Sequence, residues 1–553
     1  MTNPKILQQQ VISIVLNAHL PFAGPSPEAP FSCEELWFFE ALSETYLPLL
    51  EVFDRLDADH IPFRLGIVLS PILCHMLKDE TLIAHYLDYV DRQIEFGSRE
   101  LDRTAGDPAL HALAQSYYDR VVDKRILFTE RYEGDVLKVM DLYQKKGRLE
   151  LLTTAASYSF LPLYTACHEA IQAQFEVAIA SHRQYFGRNP QGFWLPELGW
   201  APELDGYLRA YNFSYTVADT HSILFEAAEA LPECGGTIGV SLRRHRGSFY
   251  PVRTPSQVLV LIRDYYARRD LFDPETGYCA APVYRDYYND PGYELPVNTI
   301  RSFLGAQGER TATGYKYHCR GESTVNGPHG IYDPERAMLQ AREHACAFLD
   351  NRLSRLNQAA AYMDETPISL CAFDADQFGR FWHEGPVFLE TLFREGVNRE
   401  GLHFMTPSEY LSKQTMTDIE TALPEYSSGG FNGYAETWVD ASNDWMYPHT
   451  VRALERMVEL AERFPNDAGL KERALNQAAR EILLVQSADW PRMLYRRESA
   501  DFARHQIEMA LRNFTTIYEA LASNYISTEW LTCLERRHNL FPGINYRVFR
   551  RKQ

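Results

Sequence analysis

The sequence lacks the features of nucleic-acid-binding and membrane proteins. It has 55 Lys and Arg against 74 Asp and Glu, a formal net charge of −19. Nucleic acid and anionic membranes both require a basic surface, so neither is an expected partner. No apolar run approaches the roughly 20 residues of a membrane-spanning helix. The first apolar run, Val11–Leu16, is too short for the core of a signal peptide, so we expect a cytoplasmic protein.

Cofactor and metal signatures are also missing. The nine cysteines have no regular spacing and no CxxC pair, which favours reduced thiols over a disulfide framework or a zinc site. The 17 histidines include no HxH or HxxxH pair. No glycine-rich phosphate loop follows the first predicted strand, which disfavours a dinucleotide-binding fold. The sequence therefore predicts neither a metal nor an organic cofactor.

What the sequence does contain is an alternation of strand and helix patterns over the first 415 residues. About seven strands favour an α/β fold with an incomplete (β/α)7 barrel over an open doubly wound sheet. After residue 420 the patterns are helical only. We therefore predict a catalytic barrel over 1–201 and 257–420, a small inserted domain with a mobile loop over 202–256, and a helical C-terminal domain over 421–553 that completes the active-site cleft.

Several polar side chains follow predicted strands directly. These are His19, Glu197, His221, Asp264 and Asp374. The active site of a (β/α) barrel is built at the carboxyl ends of its strands, so these side chains are expected to converge. Two carboxylates flanking a bond are the minimum for glycoside cleavage. Glu197 and Asp374 form a candidate pair, and solvated loop acids are the alternative.

Seven segments together resemble glycoside hydrolase family 57. They are GFWLPELGW (192–200), NAHLPF (17–22), SLCAFDADQFGRFWHEGP (369–386), TPSEYL (406–411), ADTH (218–221), IRD (262–264) and SADW (487–490). Their order and spacing are similar to those of the family's 1,4-α-glucan branching enzymes and related amylase-like proteins. The resemblance runs through essentially the whole chain, and the combination is specific where no single piece would be.

The resemblance implies a (β/α)7 barrel and a retaining mechanism on α-1,4-glucan without a metal or organic cofactor. It implies that Glu197 is the nucleophile, that Asp374 is the acid/base, and that His19 contacts the sugar beside the scissile bond. The carboxyl groups of a retaining pair are expected to lie about 5–5.5 Å apart.

Further substrate contacts follow from the same resemblance. The residues that it implies around the glucan are Trp194, His221, Arg263, Asp264, Trp382, Trp438, Trp445, Asp489 and Trp490. Related branching enzymes carry a tyrosine at the tip of a loop, and the corresponding stretch here is RRHRGSFYPVRTP (243–255), with Tyr250 as the candidate.

Three positions depart from the family pattern. Tyr158 stands where similar enzymes have a sugar-contacting histidine, Arg380 replaces a second histidine, and Gly429 stands where a tryptophan is usual. Both catalytic acids are retained. The departures bear on sugar subsites and on the choice of acceptor.

Structural interpretations stay open for several of these residues. Trp438 and Trp445 could pack the helical domain onto the barrel, and Asp489 could cap a helix. Arg263 and Asp264 could form a structural ion pair, while His221 could hold a loop by hydrogen bonds.

The leading functional prediction is a 1,4-α-glucan branching enzyme whose partner is an α-1,4-glucan such as amylose. Rivals on the same scaffold are an α-amylase-type hydrolase and a 4-α-glucanotransferase. A catalytically weak glucan-binding protein and a metal-dependent polysaccharide deacetylase are alternatives from other classes. The sequence does not define the oligomeric state.

Overall fold

The computed structural model describes residues 9–24, 31–223, 225–227, 240–242, 247–305, 308–321 and 330–552. Its strands are β1 (Gln10–Ala18), β2 (Leu65–Leu69), β3 (Leu149–Thr154), β4 (Gly192–Trp194), β5 (Tyr215–Ala218), β6 (Phe225–Ala227), β7 (Val240–Leu242), β8 (Val252–Arg253), β9 (Leu259–Ile262), β10 (Ile368–Asp374) and β11 (Leu402–Phe404).

Seven of these strands form one parallel sheet in the order β10, β1, β2, β3, β4, β5, β9. Every residue of β1 is buried, as expected for a parallel strand that is covered on both faces. The sheet curls until the end of β9 meets β10, where Asp264 N–H donates to the Leu370 carbonyl at 2.8 Å. Arg263 and Leu370 form a single parallel bridge at this point. The predicted incomplete (β/α)7 barrel is confirmed.

Two short strands extend the sheet beyond the ring. β11 pairs with the start of β1, and β8 pairs antiparallel with β9. β6 and β7 form a separate two-stranded antiparallel sheet. Because β5 pairs with β4 and β9, the barrel includes it, and the predicted start of the insertion at residue 202 is too early. The insertion follows β5.

Helices lie between the strands along the chain and continue after the last strand, β11. They are α1 (Cys33–Ala41), α2 (Leu47–Ala58), α3 (Pro71–Met76), α4 (Glu80–Thr104), α5 (Pro108–Ile126), α6 (Val136–Lys145), α7 (His168–Phe186), α8 (Leu204–Ala210), α9 (Tyr265–Phe272), α10 (Pro291–Glu294), α11 (Pro334–Ala360), α12 (Gly385–Gly396), α13 (Pro407–Ser412), α14 (Met446–Arg463), α15 (Leu470–Val485), α16 (Asp489–Arg496), α17 (Ala500–Ala522) and α18 (Thr528–Arg537).

The C-terminal region is helical, as its sequence pattern predicts. The sequence pattern predicts helices over 444–463, 470–487, 501–523 and 526–537. Helices α14, α15, α17 and α18 lie within two residues of these segments. The short helix α16 was not predicted, because the apolar periodicity across it is brief. It carries the SADW segment toward the barrel, where Ala488 N–H donates to the Tyr158 carbonyl at 3.0 Å. The helical region therefore contributes residues to the carboxyl end of the strands.

Candidate active site

Glu197 lies on a tight turn immediately after β4. Its φ is 56°, and the next residue, Leu198, has a φ of 53°. A left-handed conformation costs a non-glycine residue about 1–2 kcal/mol, so the surroundings must hold this turn in place. The amide of Gly429 does so, since its N–H donates to the Glu197 carbonyl at 2.6 Å. Trp200 and Ser427 also exchange backbone hydrogen bonds of 2.8 and 3.2 Å.

The electrostatic environment of Glu197 opposes its ionisation on balance. Burial raises the pKa of the carboxyl group to about 7, and the negative charges of Asp374 and Asp489 act in the same direction. The positive charge of Arg492 counters them. Near neutral pH, this carboxyl group is therefore divided between its protonated and ionised forms.

Asp374 ends β10 and its side chain is exposed. The β1–β10 register places Asn17 opposite it, and Asn17 Nδ2 donates to Asp374 Oδ1 at 3.1 Å. The same Nδ2 donates to the Tyr158 hydroxyl at 2.8 Å. Since the charge of Asp374 also acts on Glu197, the fold brings the two predicted carboxylates to one site.

The His19 ring contacts protein groups through both of its nitrogens and through one face. Its Nδ1 hydrogen-bonds Ser70 Oγ at 3.0 Å and its Nε2 hydrogen-bonds Asp489 Oδ2 at 2.9 Å. Its ring stacks on Tyr158 with centroids 3.7 Å apart and planes 13° apart. Both ring nitrogens are engaged, so in this structure the imidazole has no nitrogen left to bind a sugar hydroxyl.

Asp489 is the buried carboxylate that connects His19 to the rest of the site. Burial alone would favour its neutral form, but His19 and Arg492 hold its pKa below the ordinary range. Ser487 Oγ also donates to it at 2.8 Å. The alternative that Asp489 caps a helix is wrong, because it is the first residue of α16 and Ala488 occupies the cap.

Arg492 is the residue of this site that sequence reasoning missed. It lies three residues after Asp489 on α16, and its Nη2 donates to Asp489 Oδ1 at 3.0 Å. Its positive charge acts on Glu197, on Asp374 and on Asp489, and these acids raise its own pKa. The signal for Arg492 is its position three residues after the aspartate of the SADW segment, the spacing at which two side chains meet on one face of a helix.

Asp376 is a further acid beside Asp374. Burial raises its pKa to about 6, Arg380 opposes this rise, and the charge of Asp374 adds to it. Arg380, at a position where the family pattern has histidine, donates from Nε to Glu40 Oε2 at 3.1 Å. Its Nη1 lies 3.8 Å from Asp376 Oδ2. The arginine thus places a fixed cation beside Asp376.

Two predicted cleft tryptophans are packing residues in this structure. Trp438 is fully buried and stacks on Phe160, with centroids 4.6 Å apart and planes 7° apart. Trp382 is buried among Phe378 and Phe388. Neither indole presents a free face, so the prediction that they line the cleft is corrected. A tryptophan in a motif does not by itself distinguish a stacking platform from a core residue.

The other three tryptophans that were predicted to line the cleft are buried or partly buried. Trp490 is buried and donates from Nε1 to the Leu484 carbonyl at 2.7 Å. Trp194 is buried in the barrel interior. Trp445 is partly buried, and the guanidinium of Arg504 lies 4.8 Å from its ring centroid. Trp194 and Trp490 therefore offer no open indole face in this structure, whereas Trp445 keeps part of its surface exposed.

Arg263 and Asp264 are structural groups at the closure of the barrel. Asp264 is buried, and its Oδ2 accepts from Arg352 Nη1 at 2.8 Å and from Ser369 Oγ at 2.7 Å. The Arg263 guanidinium pairs with Asp219. Both charged groups therefore have protein partners. The alternative that Arg263 and Asp264 pair with each other is wrong, because Arg263 pairs with Asp219 and Asp264 pairs with Arg352.

His221 contacts a loop of the C-terminal region. Its Nε2 hydrogen-bonds the Gly433 carbonyl at 2.7 Å, and its ring lies edge-on to Tyr434 with centroids 5.1 Å apart. These contacts fit the alternative interpretation, in which His221 holds a loop by hydrogen bonds.

Tyr250 does not lie at the tip of a loop. It is buried two residues before β8. Burial raises the pKa of the Tyr410 phenol, and a charge interaction with Tyr250 adds to this rise. A tyrosine at an exposed tip would be solvated, so this candidate is corrected. Residues 243–246 of the predicted lid lie outside the described residues.

Two absences hold for the described residue ranges, one concerning metal sites and one concerning membrane spans. In those ranges, no group of three or more His, Cys, Asp and Glu side chains is placed to hold a metal ion. No helix in the same ranges is long and apolar enough to cross a bilayer.

Comparison with known proteins identifies the family. The sequence model of glycosyl hydrolase family 57 matches residues 13–423. The chain belongs to glycosyl hydrolase family 57. A second model, described as 1,4-alpha-glucan branching enzyme, C-terminal, matches residues 449–549.

Individual family 57 relatives cover almost the full chain. A 1,4-alpha-glucan branching enzyme of Thermococcus kodakarensis is 26% identical over 96% of this chain and 77% of that protein. The crystal structure of the α-amylase AmyC of Thermotoga maritima has a TM-score of 0.89 at 32% identity, covering 99% of this chain and 100% of that one. A branching enzyme structure from Pyrococcus horikoshii has a TM-score of 0.84 at 24% identity, covering 98% and 97%, and supports the shared fold.

Proposed function

We propose that this family 57 protein is a retaining 1,4-α-glucan branching enzyme. The observation that carries the proposal is the match of residues 449–549 to the branching-enzyme C-terminal model, in a chain whose barrel brings Glu197 and Asp374 to one site. The relative from Thermococcus kodakarensis, itself named a branching enzyme, agrees with it.

The proposed first half-reaction forms a covalent intermediate. The Glu197 carboxylate attacks the anomeric carbon of an α-1,4-linked glucose, and the C1–O4 bond breaks. Asp374 donates its proton to the departing O4. The transferred chain is then held on Glu197 as a β-glycosyl ester. Arg492 supports this step because its charge favours the ionised form of the nucleophile.

The second half-reaction transfers the chain to an acceptor. The 6-hydroxyl oxygen of another glucan attacks C1, the ester bond to Glu197 breaks, and Asp374 takes the hydroxyl proton. The product is an α-1,6 branch. Turnover requires an ionised Glu197 together with a protonated acid/base, so activity follows a bell-shaped pH profile. Because burial raises the pKa of Glu197 to about 7, its ionisation sets the acidic limb of that profile.

We further infer which regions of the chain form the active site and in which compartment the protein acts. The barrel and its insertion carry both acids, and the helical region supplies Asp489 and Arg492 to the same site. The described cysteines are all free, which agrees with a reducing compartment such as the cytoplasm. We infer that a glycogen-like polymer is the product.

An α-amylase-type hydrolase is the second candidate, because AmyC shares 32% identity over nearly the whole chain. The deciding experiment is linkage analysis of the products formed from amylose. Branching predicts new α-1,6 linkages with few new reducing ends. A debranching enzyme that cleaves these linkages should then release short linear chains. New reducing ends without α-1,6 linkages would identify a hydrolase, and redistributed linear chain lengths alone would identify a glucanotransferase.

A further inference from the structure

The loop over residues 427–434 contacts the backbone of the nucleophile and carries two exposed aromatic side chains. Phe431 is 60% exposed and Tyr434 is 51% exposed. The amide of Gly429, two residues before Phe431, donates to the Glu197 carbonyl at 2.6 Å. The Cα atoms of Gly429 and Phe431 are therefore at most about 7 Å apart. Exposed aromatic surface next to a catalytic turn indicates a ligand-binding surface more than chance exposure does.

The loop backbone is rigid although these two side chains are exposed. Ser428 N–H donates to the Gly433 carbonyl at 2.7 Å, and Ser428 Oγ accepts from the amide of Ala435 at 2.9 Å. The Phe431 amide donates to Thr437 Oγ1 at 3.2 Å. A backbone fixed in this way presents its side chains without a large ordering cost on binding.

Two glycines show how tightly the loop is seated. Gly430 has a φ of +76°, and a Cβ there would lie 2.7 Å from Thr437 Oγ1 and 2.9 Å from the Trp438 ring. Gly433 has a φ of +85°, and its Cβ would lie 2.7 Å from the His221 ring. The loop is thus packed between Trp438, which is core, and His221, which bonds it from the barrel side.

From this arrangement we propose that Phe431 and Tyr434 form a sugar-stacking subsite for the α-glucan chain next to Glu197. The apolar faces of pyranose rings pack on aromatic rings, and a neutral chain is not repelled by the acids of the site. Gly429 carries no side chain, so the stacking surface of this loop lies at Phe431 and Tyr434. This inference rests on the proposed function, since it assumes a glucan substrate.

The test separates binding from turnover. The protein with Glu197→Gln holds glucan without cleaving it, and its affinity for amylose is measured by electrophoresis in amylose-containing gels. In that background, Phe431→Ala and Tyr434→Ala should each weaken binding by about three- to tenfold, and the double variant by more than about tenfold. Tyr525→Ala is the matched control, because Tyr525 is 77% exposed in the C-terminal region. It should leave binding unchanged.

Kinetics on amylose provide the second readout, with Glu197 intact. For Phe431→Ala and Tyr434→Ala, KM should rise more than kcat falls, and Phe431→Tyr should restore most of the affinity. Melting temperatures should stay at the wild-type value, since both side chains are on the surface.

Each outcome has a distinct meaning. Unchanged amylose affinity in the double variant overturns the subsite, as does an equal loss in Tyr525→Ala. If the double variant instead changes only self-association in sedimentation experiments, the patch binds a second copy of the chain and the subsite is refuted. Glucan binding without α-1,6 products contradicts branching alone. Absence of amylose binding by the Glu197→Gln protein contradicts both proposals.

Discussion

Arg492 provides the most informative perturbation of the site. Its positive charge is the largest influence that keeps the pKa of Glu197 from rising above about 7, while Asp489 fixes the guanidinium at 3.0 Å. The substitution Arg492→Met removes the charge and retains much of the side-chain length. The pKa of Glu197 should then rise, since the largest opposition to burial and Asp374 is removed and only the smaller effect of Arg496 remains among the causes named for this group.

The magnitude follows from the ionised fraction. With a pKa of about 7, half of the Glu197 carboxyl groups are ionised at pH 7. Loss of a nearby opposite charge raises a carboxyl pKa by about one pH unit or more. About one tenth would then be ionised at pH 7, so kcat/KM at this pH should fall about fivefold. The loss relative to the wild type should become smaller as the pH is raised and more of Glu197 ionises.

The assay is kcat/KM for amylose from pH 5 to pH 9.5. The variant's acidic limb should move to higher pH, while Arg492→Lys, which retains the charge, should keep it near the wild-type position. A uniform loss of activity with an unmoved limb would refute the reasoning. Arg492 would then position substrate without controlling ionisation.

Three further predictions concern stability. Burial raises the Glu197 pKa from 4.5 to about 7, so this group lowers folding stability progressively between about pH 4.5 and pH 7, where the unfolded chain ionises it and the folded chain keeps it protonated. Glu197→Gln should therefore raise Tm at pH 8 and raise it much less at about pH 3, where the group is protonated in both states, with a limit of about 3 kcal/mol. A uniform effect across pH would contradict this. Gly379→Ala should be severely destabilising in thermal unfolding, because φ is +120° and the new Cβ would lie 1.8 Å from the Glu44 carbonyl oxygen; a wild-type Tm would contradict it. Tyr158→Phe removes the hydroxyl that accepts from Asn17 and should cost about 1 kcal/mol in urea unfolding; no measurable change would indicate that this hydrogen bond is not stabilising.

The barrel and its acids could be predicted because strand patterns and barrel geometry constrain them together. A buried parallel strand is a continuous apolar run, and its carboxyl end faces the active site. Glu197 and Asp374 both follow such runs, so their convergence required no knowledge of contacts. The left-handed turn at Glu197 was not predictable, since no local residue type demands it and the amide of Gly429 supports it from far along the chain.

The aromatic residues were harder to interpret because aromatic side chains serve cores and ligands equally well. Trp438 and Trp382 lie in recognisable motifs, yet their surroundings bury them. Phe431 and Tyr434 lie in an irregular glycine-rich stretch without periodicity, and only the folded loop shows that they are exposed beside the nucleophile. Burial of a particular ring depends on tertiary contacts that sequence spacing does not encode.

The central claim is that Glu197 is the nucleophile and Asp374 is the acid/base. Azide rescue tests this claim most directly. The variants Glu197→Gly and Asp374→Gly are incubated with an α-maltosyl fluoride and azide, and the anomeric configuration of the maltosyl azide is determined by NMR. If Glu197 is the nucleophile, azide takes its place in Glu197→Gly and gives the β-azide, whereas Asp374→Gly gives the α-azide from the glycosyl-enzyme. The opposite pattern, with α-azide from Glu197→Gly and β-azide from Asp374→Gly, would contradict the assignment.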